Sequence, residues 1–137
     1  MPRTRDERFA RRVPAEITVA CCIRGPGGEE RETFVAETFD VSARGLGLRV
    51  ERAAKMGTML TLAARSDDPP LELAAAGKVV RMRRSRGWYL WGVQLVPDLE
   101  QQARLTRFVL AWLQRSPAEA ADAVENASPE RETEAGP

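Results

Sequence analysis

Two short polar stretches carry the side chains best suited to chemistry. Residues 40–45, Asp-Val-Ser-Ala-Arg-Gly, lie between two strand-like runs, and residues 8–12, Arg-Phe-Ala-Arg-Arg, lie near the N-terminus. The carboxylate of Asp40 can accept two N–H donors, and the hydroxyl of Ser42 can donate or accept. Gly45 permits a positive φ, or a closer approach of backbone or ligand than a side chain would allow. Asp, Ser and Gly are also ordinary turn residues, so this stretch alone identifies no function.

Taken together, the two stretches suit a ligand that contains guanine and phosphate. An arginine fork meets the N7 and O6 acceptors of guanine, and it binds phosphate through charge-assisted hydrogen bonds. A carboxylate can accept the two donors on the other edge of the base. Arg8 and Arg12 on one side, with Asp40 and Ser42 on the other, would form a two-sided clamp. This chemistry is compatible with such a ligand class without singling out one member.

Catalytic chemistry is poorly represented in the sequence. The chain has no histidine, which removes the commonest general base and metal ligand. Its two cysteines, Cys21 and Cys22, are adjacent and would point to opposite faces of a strand, which disfavours both a disulfide and a zinc site. We therefore expect one thiol in the core and one on the surface. The sequence predicts neither an enzyme nor a metal protein.

Composition predicts one soluble domain with charged ends. A chain of 137 residues is about one domain, and no apolar run approaches the roughly 18 residues of a membrane span. The charged N-terminus lacks the apolar core of a signal peptide, so we expect a cytoplasmic protein without membrane insertion. The net charge of +1 conceals a basic N-terminus and an acidic C-terminus. We expect a flexible basic arm over residues 1–12, a folded domain over 13–115 and a disordered acidic tail over 116–137.

Alternating apolar residues predict a series of strands. The first begins at Ile17, and the others are expected at residues 33–39, 46–50, 58–64, 71–83 and 88–96, with the fifth bent at Gly77. Residues 66–70 read as a loop. Short strands separated by turn residues favour an all-β, closed or nearly closed antiparallel barrel.

One helix is expected after the last strand. Asp98 is suited to be its N-cap, with Gln101 as the capping-box partner three residues later. Apolar residues then recur at helical spacing and should pack against the barrel, after which Pro117 ends the helix. The stripe consists of Leu105, Phe108, Val109, Trp112 and Leu113.

In this order, the two polar stretches resemble the signature of the PilZ domain. That signature is Arg-x-x-x-Arg ahead of the first strand and Asp/Asn-x-Ser-x-x-Gly farther along the chain. The resemblance covers about residues 8–114 and implies a six- to seven-stranded antiparallel barrel with one C-terminal helix. The matching positions are Arg8, Arg12, Asp40, Ser42 and Gly45.

The resemblance implies a function. PilZ domains are bacterial receptors for the second messenger cyclic di-GMP, which would contact all five matching positions here. Glu7, Arg11 and Arg44 are candidates for additional contacts. Glu7 precedes the arginine motif where family members often carry Arg or an apolar residue, and an acid there should repel an anionic ligand. Binding would order the arm and present a new surface to a protein effector.

Two other functions stay open at this point. The chain could be a PilZ-fold module that binds a protein partner and no nucleotide. A small barrel could also bind single-stranded nucleic acid, but that needs exposed aromatic platforms in a basic groove. The aromatic residues here fall mainly on apolar stripes, so we expect neither DNA nor RNA as a partner. Arg83, Arg84 and Arg86 are further candidates for phosphate contacts, although a charged surface loop is the favoured explanation for them.

Overall fold

A closed barrel of six antiparallel strands, followed by one helix, makes up the part of the chain that the computed structural model describes, residues 11–115. Around the barrel the strands follow the order β1-β2-β3-β6-β5-β4. This architecture confirms the expected all-β barrel with a C-terminal helix. The elements are β1 (Thr18–Arg24), β2 (Glu30–Val41), β3 (Gly45–Val50), β4 (Met59–Asp67), β5 (Pro70–Ser85), β6 (Trp88–Leu95) and α1 (Leu99–Arg115).

The core forms because alternate residues of each strand point inward. On β3, Leu46, Leu48 and Val50 are buried, as their spacing predicts. The largest fully buried side chain is Trp91 on β6. Its ring packs edge-on against Phe34 with centroids 5.7 Å apart, and its Nε1 donates to the carbonyl of Arg52 at 2.9 Å. A buried indole therefore keeps its polar atom satisfied while filling the barrel.

Helix α1 packs its apolar stripe against the core of the barrel. The amide of Gln101 donates to Asp98 Oδ1 at 3.1 Å, which confirms Asp98 as the N-cap. The expected capping box is wrong, because Gln101 Oε1 accepts from the amide of Ala74 on β5 at 3.0 Å. The side chain of Gln101 thus ties the helix to the sheet. Leu105, Phe108 and Val109 are buried, while Trp112 and Leu113 are partly buried against the core. Among residues 11–115, no helix combines the length and apolar character needed to cross a membrane.

Several strand ends differ from the sequence expectation. β2 runs to Val41 and β3 starts at Gly45, so the turn between them is only residues 42–44. The expected loop over 66–70 shrinks to Asp68 and Pro69, because β4 and β5 pair as far as Asp67 and Pro70. The irregularity in β5 lies between Val79 and Arg81 rather than at Gly77. Pairing between neighbouring strands extends the ladder beyond what local residue preferences indicate.

Both cysteines are buried, which corrects the expectation of one surface thiol. Cys21 is 2% exposed and faces the core, while Cys22 on the outer face is only 9% exposed. Its cross-strand partners are Thr33 on β2 and Thr61 on β4. Side chains opposite one another on adjacent strands lie close enough to cover a small residue between them. Burial therefore extends to an outer-face position in the middle of the sheet.

Candidate functional site

The turn between β2 and β3 is built around the hydroxyl of Ser42. This hydroxyl accepts from the amides of Gly45 at 3.1 Å and Arg44 at 3.3 Å, and it donates to the carbonyl of Gly45 at 3.2 Å. Ser42 is 2% exposed. Its hydrogen-bonding capacity is used within the turn, so in this structure Ser42 fixes the shape of the site. The direct contact with ligand expected for it stays a prediction.

Gly45 is needed for close backbone packing. A Cβ at this position would clash with the carbonyl oxygen of Val93 on β6. The adjacent carbonyl of Arg44 accepts from the amide of Leu95 at 2.9 Å. Of the two uses of glycine weighed from the sequence, close approach of a neighbouring backbone is the one the structure shows. Gly45 holds the turn against the end of β6.

Arg12 and Asp40 meet although 28 positions separate them in the chain. Arg12 Nη1 donates to Asp40 Oδ1 at 3.0 Å, with the side chains 47% and 18% exposed respectively. The backbone brings them together, because Val13 and Val41 exchange both N–H···O bonds at 2.9 Å. Each member of the ion pair is thus next to a residue of this bridge. The arginine motif and the aspartate motif form one site.

Asp40 sits in an environment that opposes its charge. Burial raises the pKa of Asp40 above its ordinary value, and the charge and hydrogen bond of Arg12, the amide of Gly47 and the charge of Arg81 offset part of that rise. Desolvation is the largest contribution. A partly buried carboxyl group with a perturbed pKa, next to a guanidinium and a backbone donor, is typical of a ligand-binding position.

The other residues that were expected to contact the ligand lie beside the site or outside the described part of the chain. Arg8 and Glu7 lie outside the described residues. Arg11 is exposed next to Arg12, and Arg44 is exposed at the tip of the turn, close in sequence to the Ser42 hydrogen bonds. Both therefore border the site without a demonstrated role in it.

A row of four outer-face residues extends the site across the barrel, and the sequence analysis missed three of them. Asp40 on β2 pairs with Gly47 on β3, Gly47 pairs with Gly92 on β6, and Gly92 pairs with Arg81 on β5. We call Asp40, Gly47, Gly92 and Arg81 the outer row. Two adjacent glycines, Gly47 and Gly92, lie between an acid and a base and leave room for neighbouring side chains to lie close to the sheet. We call these two glycines the glycine floor.

The outer row owes its orientation to two bulges. Register shifts lie between Thr38 and Asp40 on β2 and between Val79 and Arg81 on β5. Thr38 and Val79 face the core, so strict alternation would turn Asp40 and Arg81 inward as well. The extra residue at each bulge turns both side chains outward. The alternation of β3 and β6 places Gly47 and Gly92 on the outer face, and this was the sequence signal for the site. The alternating pattern does not reveal the bulges that turn Asp40 and Arg81 outward.

The other arginines of β5 and its hairpin lie farther along the strand. Arg83 pairs with Leu90, and the guanidinium of Arg84 lies 5.5 Å from the centroid of the Tyr89 ring. Arg86 occupies the β5–β6 turn with a φ of 50°. These three residues lead away from the outer row, which favours the interpretation of a charged surface loop for them.

The arrangement is suited to binding rather than to bond cleavage. It combines the guanidinium of Arg12, the carboxyl group of Asp40 and the guanidinium of Arg81 on one face of the barrel, and none of these groups is a nucleophile paired to a base. Among residues 11–115, no group of three or more His, Cys, Asp or Glu side chains is placed to hold a metal ion. Charge-assisted hydrogen bonds to a polar, anionic ligand are the chemistry that these groups offer.

Comparison with known proteins supports a single family. The family model for the PilZ domain matches residues 2–111. A search of curated proteins returns no match.

Solved structures of PilZ domains share the fold. The PilZ domain of CeSA from a cellulose-synthesizing bacterium is 21% identical, with a TM-score of 0.53, over 75% of this chain and 98% of that one. The PilZ domain of YcgR from Escherichia coli, solved with c-di-GMP, is 14% identical, with a TM-score of 0.62, over 88% and 98%. MrkH from K. pneumonia in its apo state is 18% identical, with a TM-score of 0.64, over 87% of this chain but only 56% of MrkH. The match to the family model over most of the chain shows that this protein belongs to the PilZ domain family.

Proposed function

We propose that this protein binds cyclic di-GMP at the site formed by Arg12, Asp40 and the turn that follows. The observation that carries the proposal is the 3.0 Å ion pair, which brings the two motifs together on one face of the barrel. Among the structural relatives, the YcgR PilZ domain and MrkH have both been solved with c-di-GMP. Family membership and the geometry of the motifs therefore support the same ligand.

The chemistry of the ligand fits the groups present. Asp40 would accept the N1–H and the exocyclic amino group of guanine, which are two donors on one edge. Arg12 would leave its ion pair with Asp40 for the O6 and N7 acceptors of guanine or for a phosphate oxygen. Arg12 is about half exposed and can change partners, while the largely buried Asp40 would exchange the guanidinium for the two donors of the guanine edge. The pair keeps both side chains oriented until the nucleotide replaces it.

Calorimetric titration with cyclic di-GMP tests this proposal. The wild type should bind saturably, and Arg12→Ala and Asp40→Ala should each weaken binding by at least about tenfold, since each removes a charge-assisted contact. Cyclic di-AMP and GTP serve as ligand controls. Arg65→Ala and Asp67→Ala, which change the same charges on β4, should bind like the wild type. A folded wild type that releases no heat and gains no thermal stability with ligand would contradict the proposal and favour a protein-interaction module.

The signal would be relayed by the N-terminal arm. Bound ligand would engage Arg8 together with Arg12 and thereby order residues 1–12, which would expose a new surface to a protein effector. Trypsin cleavage after Arg8, followed by mass spectrometry, measures this step. Saturating cyclic di-GMP should slow that cleavage, while cleavage at Arg131 should keep its rate. Equal slowing at both sites, or at neither, would contradict ordering of the arm.

A further inference from the structure

The outer row contains one arginine, Arg81, which neither motif includes. Arg81 lies on β5, at the opposite end of the row from Asp40, and it is exposed. The direct pairings from Asp40 through Gly47 and Gly92 to Arg81 span three inter-strand steps of about 4.8 Å each. Both charged side chains face outward because of the bulges that precede them. They therefore flank the same stretch of surface.

The side chain of Arg81 runs across the glycine floor. A Cβ added to Gly92 would lie 3.1 Å from Arg81 Cβ and 3.6 Å from its Nε, so the arginine stem covers the position where a side chain would otherwise stand. At the other glycine, an added Cβ would lie 2.5 Å from Asp40 Oδ1 and 2.5 Å from Phe39 Cζ. Arg81 thus approaches the floor from one side, while Asp40 and the Phe39 ring approach it from the other.

The charge of Arg81 is available to a ligand. Among residues 11–115, no hydrogen bond or ion pair engages its guanidinium, whereas Arg12 is already paired with Asp40. Its field reaches the site, because it contributes to the electrostatics of Asp40. Arginine exposes a planar fork of donors that suits phosphate oxygens. Within the described part of the chain, this guanidinium therefore has donors to offer an anionic group of a ligand that also contacts Asp40.

We infer that Arg81 is an additional ligand-contacting residue, which binds a phosphate of the nucleotide whose guanine edge is held by Asp40. This inference rests on the proposed function. Because Gly47 and Gly92 have no side chains, Asp40 and the stem of Arg81 lie close to the sheet, and their charged ends can face one ligand on the same surface. The site would therefore hold the ligand from both sides of the glycine floor, with arginines supplied by the N-terminal segment and by β5.

Calorimetric titration of Arg81→Ala with cyclic di-GMP tests the inference, with Arg83→Ala as the matched control. Arg83 lies on the same strand and outer face, but it pairs with Leu90 beyond the glycine floor. Loss of a charge-assisted phosphate contact should raise the Kd of Arg81→Ala by about tenfold to a hundredfold. Arg83→Ala should stay within about twofold of the wild type. Arg81→Lys should give an intermediate Kd, because it keeps the charge and loses the fork.

The outcomes separate this inference from the proposed function. Binding by the wild type with equal Kd values for Arg81→Ala and the wild type would overturn the role of Arg81 and leave the proposed function intact. Equal weakening by Arg81→Ala and Arg83→Ala would also overturn it, since it would indicate only a general effect of charge. No binding by the wild type would overturn both. Circular dichroism and thermal unfolding of each variant verify the fold, which an exposed side chain should not alter.

Discussion

At the scale of single residues, Asp40 shows a conflict between stability and function. Its side chain is 18% exposed, and burial raises its pKa more than Arg12, Gly47 and Arg81 together lower it. The ionised form is therefore held in the fold at a cost in stability. Perturbed carboxyl groups of this kind are common at binding sites, where the charge is needed for the ligand.

Asp40→Asn should separate these two roles. The amide keeps the shape of the side chain and removes the buried charge, so the free energy of unfolding at pH 7 should match or exceed that of the wild type. Cyclic di-GMP binding should fall by at least about tenfold, because an amide cannot accept two donors as a carboxylate does. Urea denaturation and calorimetry measure the two effects. A less stable variant with unchanged affinity would contradict this assignment.

The pH dependence of stability gives an independent test of Asp40. Because its folded pKa is raised above the ordinary value of 3.8, its contribution to stability is present below pH 3.8 and is lost as the pH rises through the folded pKa. The advantage of Asp40→Asn over the wild type should therefore be absent at low pH and grow above pH 3.8. Asp67→Asn, which changes an exposed carboxyl group on β4, should show no such growth. A stability difference between Asp40→Asn and the wild type that shrinks with rising pH would have the wrong sign.

Gly47→Ala should damage the site through packing alone. The new Cβ would lie 2.5 Å from both Asp40 Oδ1 and Phe39 Cζ, so both side chains must move. Overpacking of this kind should cost about 1–3 kcal/mol in the free energy of unfolding, and displacement of Asp40 should weaken nucleotide binding by about tenfold or more. Chemical denaturation and calorimetry measure the two effects. Gly27→Ala is the control, since its nearest contact is the flexible end of Glu29 in a distant hairpin. Equal behaviour of the two variants would show that Gly47 is not specifically required.

At the scale of elements, one buried threonine fixes the segment that leads into β1. Thr38 on β2 is 1% exposed. Its Oγ1 accepts from the amide of Ile17 at 2.8 Å and donates to the carbonyl of Ala15 at 2.7 Å. Together with the Val13–Val41 bridge, these bonds hold residues 13–17 across β2. The position of Arg12 depends on these hydrogen bonds, because Arg12 directly precedes the segment that they hold.

Thr38→Val should therefore weaken both the fold and the site. It leaves a buried amide and a buried carbonyl without partners, at about 1–3 kcal/mol each. We expect a lower free energy of unfolding in urea and a higher Kd for cyclic di-GMP. Thr38→Ser keeps the hydroxyl and should bind the nucleotide like the wild type. If the valine variant kept wild-type affinity, the hydrogen bonds of Thr38 would not be what positions Arg12.

The sequence predicted elements better than it predicted the geometry of the site. Alternation located all six strands, the spacing of Leu105, Phe108 and Val109 located the helix, and the residue type of Asp98 identified its N-cap. The motifs identified Arg12 and Asp40, which the structure brings together. Arg81 was missed because the bulge beside Val80 reverses the face that alternation indicates. Gln101 was assigned to the wrong partner because its bond to Ala74 depends on tertiary packing, which local sequence does not reveal.

At the scale of the whole molecule, closure of the barrel shields its interior from solvent on all sides of the sheet. The order β1-β2-β3-β6-β5-β4 closes on itself, so no strand within residues 11–115 has a free edge of the kind found in open sheets. Cys21 on β1 is 2% exposed, and desolvation raises its pKa to about 12. A thiol in this position can react only when the barrel opens.

The reactivity of Cys21 should therefore report global unfolding. In Cys22→Ala, which leaves one thiol, the rate of reaction with a disulfide reagent should follow the unfolded fraction as urea is added. Stability should also fall as the pH rises above 9.0, because the unfolded thiol ionises there and the folded one does not. Rapid reaction in the absence of urea would contradict a barrel that opens only as a unit.

The central claim is that cyclic di-GMP binds across the outer row, and amide NMR during a titration tests it most directly. In two-dimensional ¹H–¹⁵N spectra of the full chain, the largest shift changes should occur at Arg12, Asp40, Gly45, Gly47 and the β5–β6 pair formed by Arg81 and Gly92. Amides of Ala20 on β1 and Ala63 on β4, on another part of the outer surface, should change little. Saturating changes centred on the outer row would support the account. Saturating changes centred on β1 and β4, or no changes at all, would contradict it.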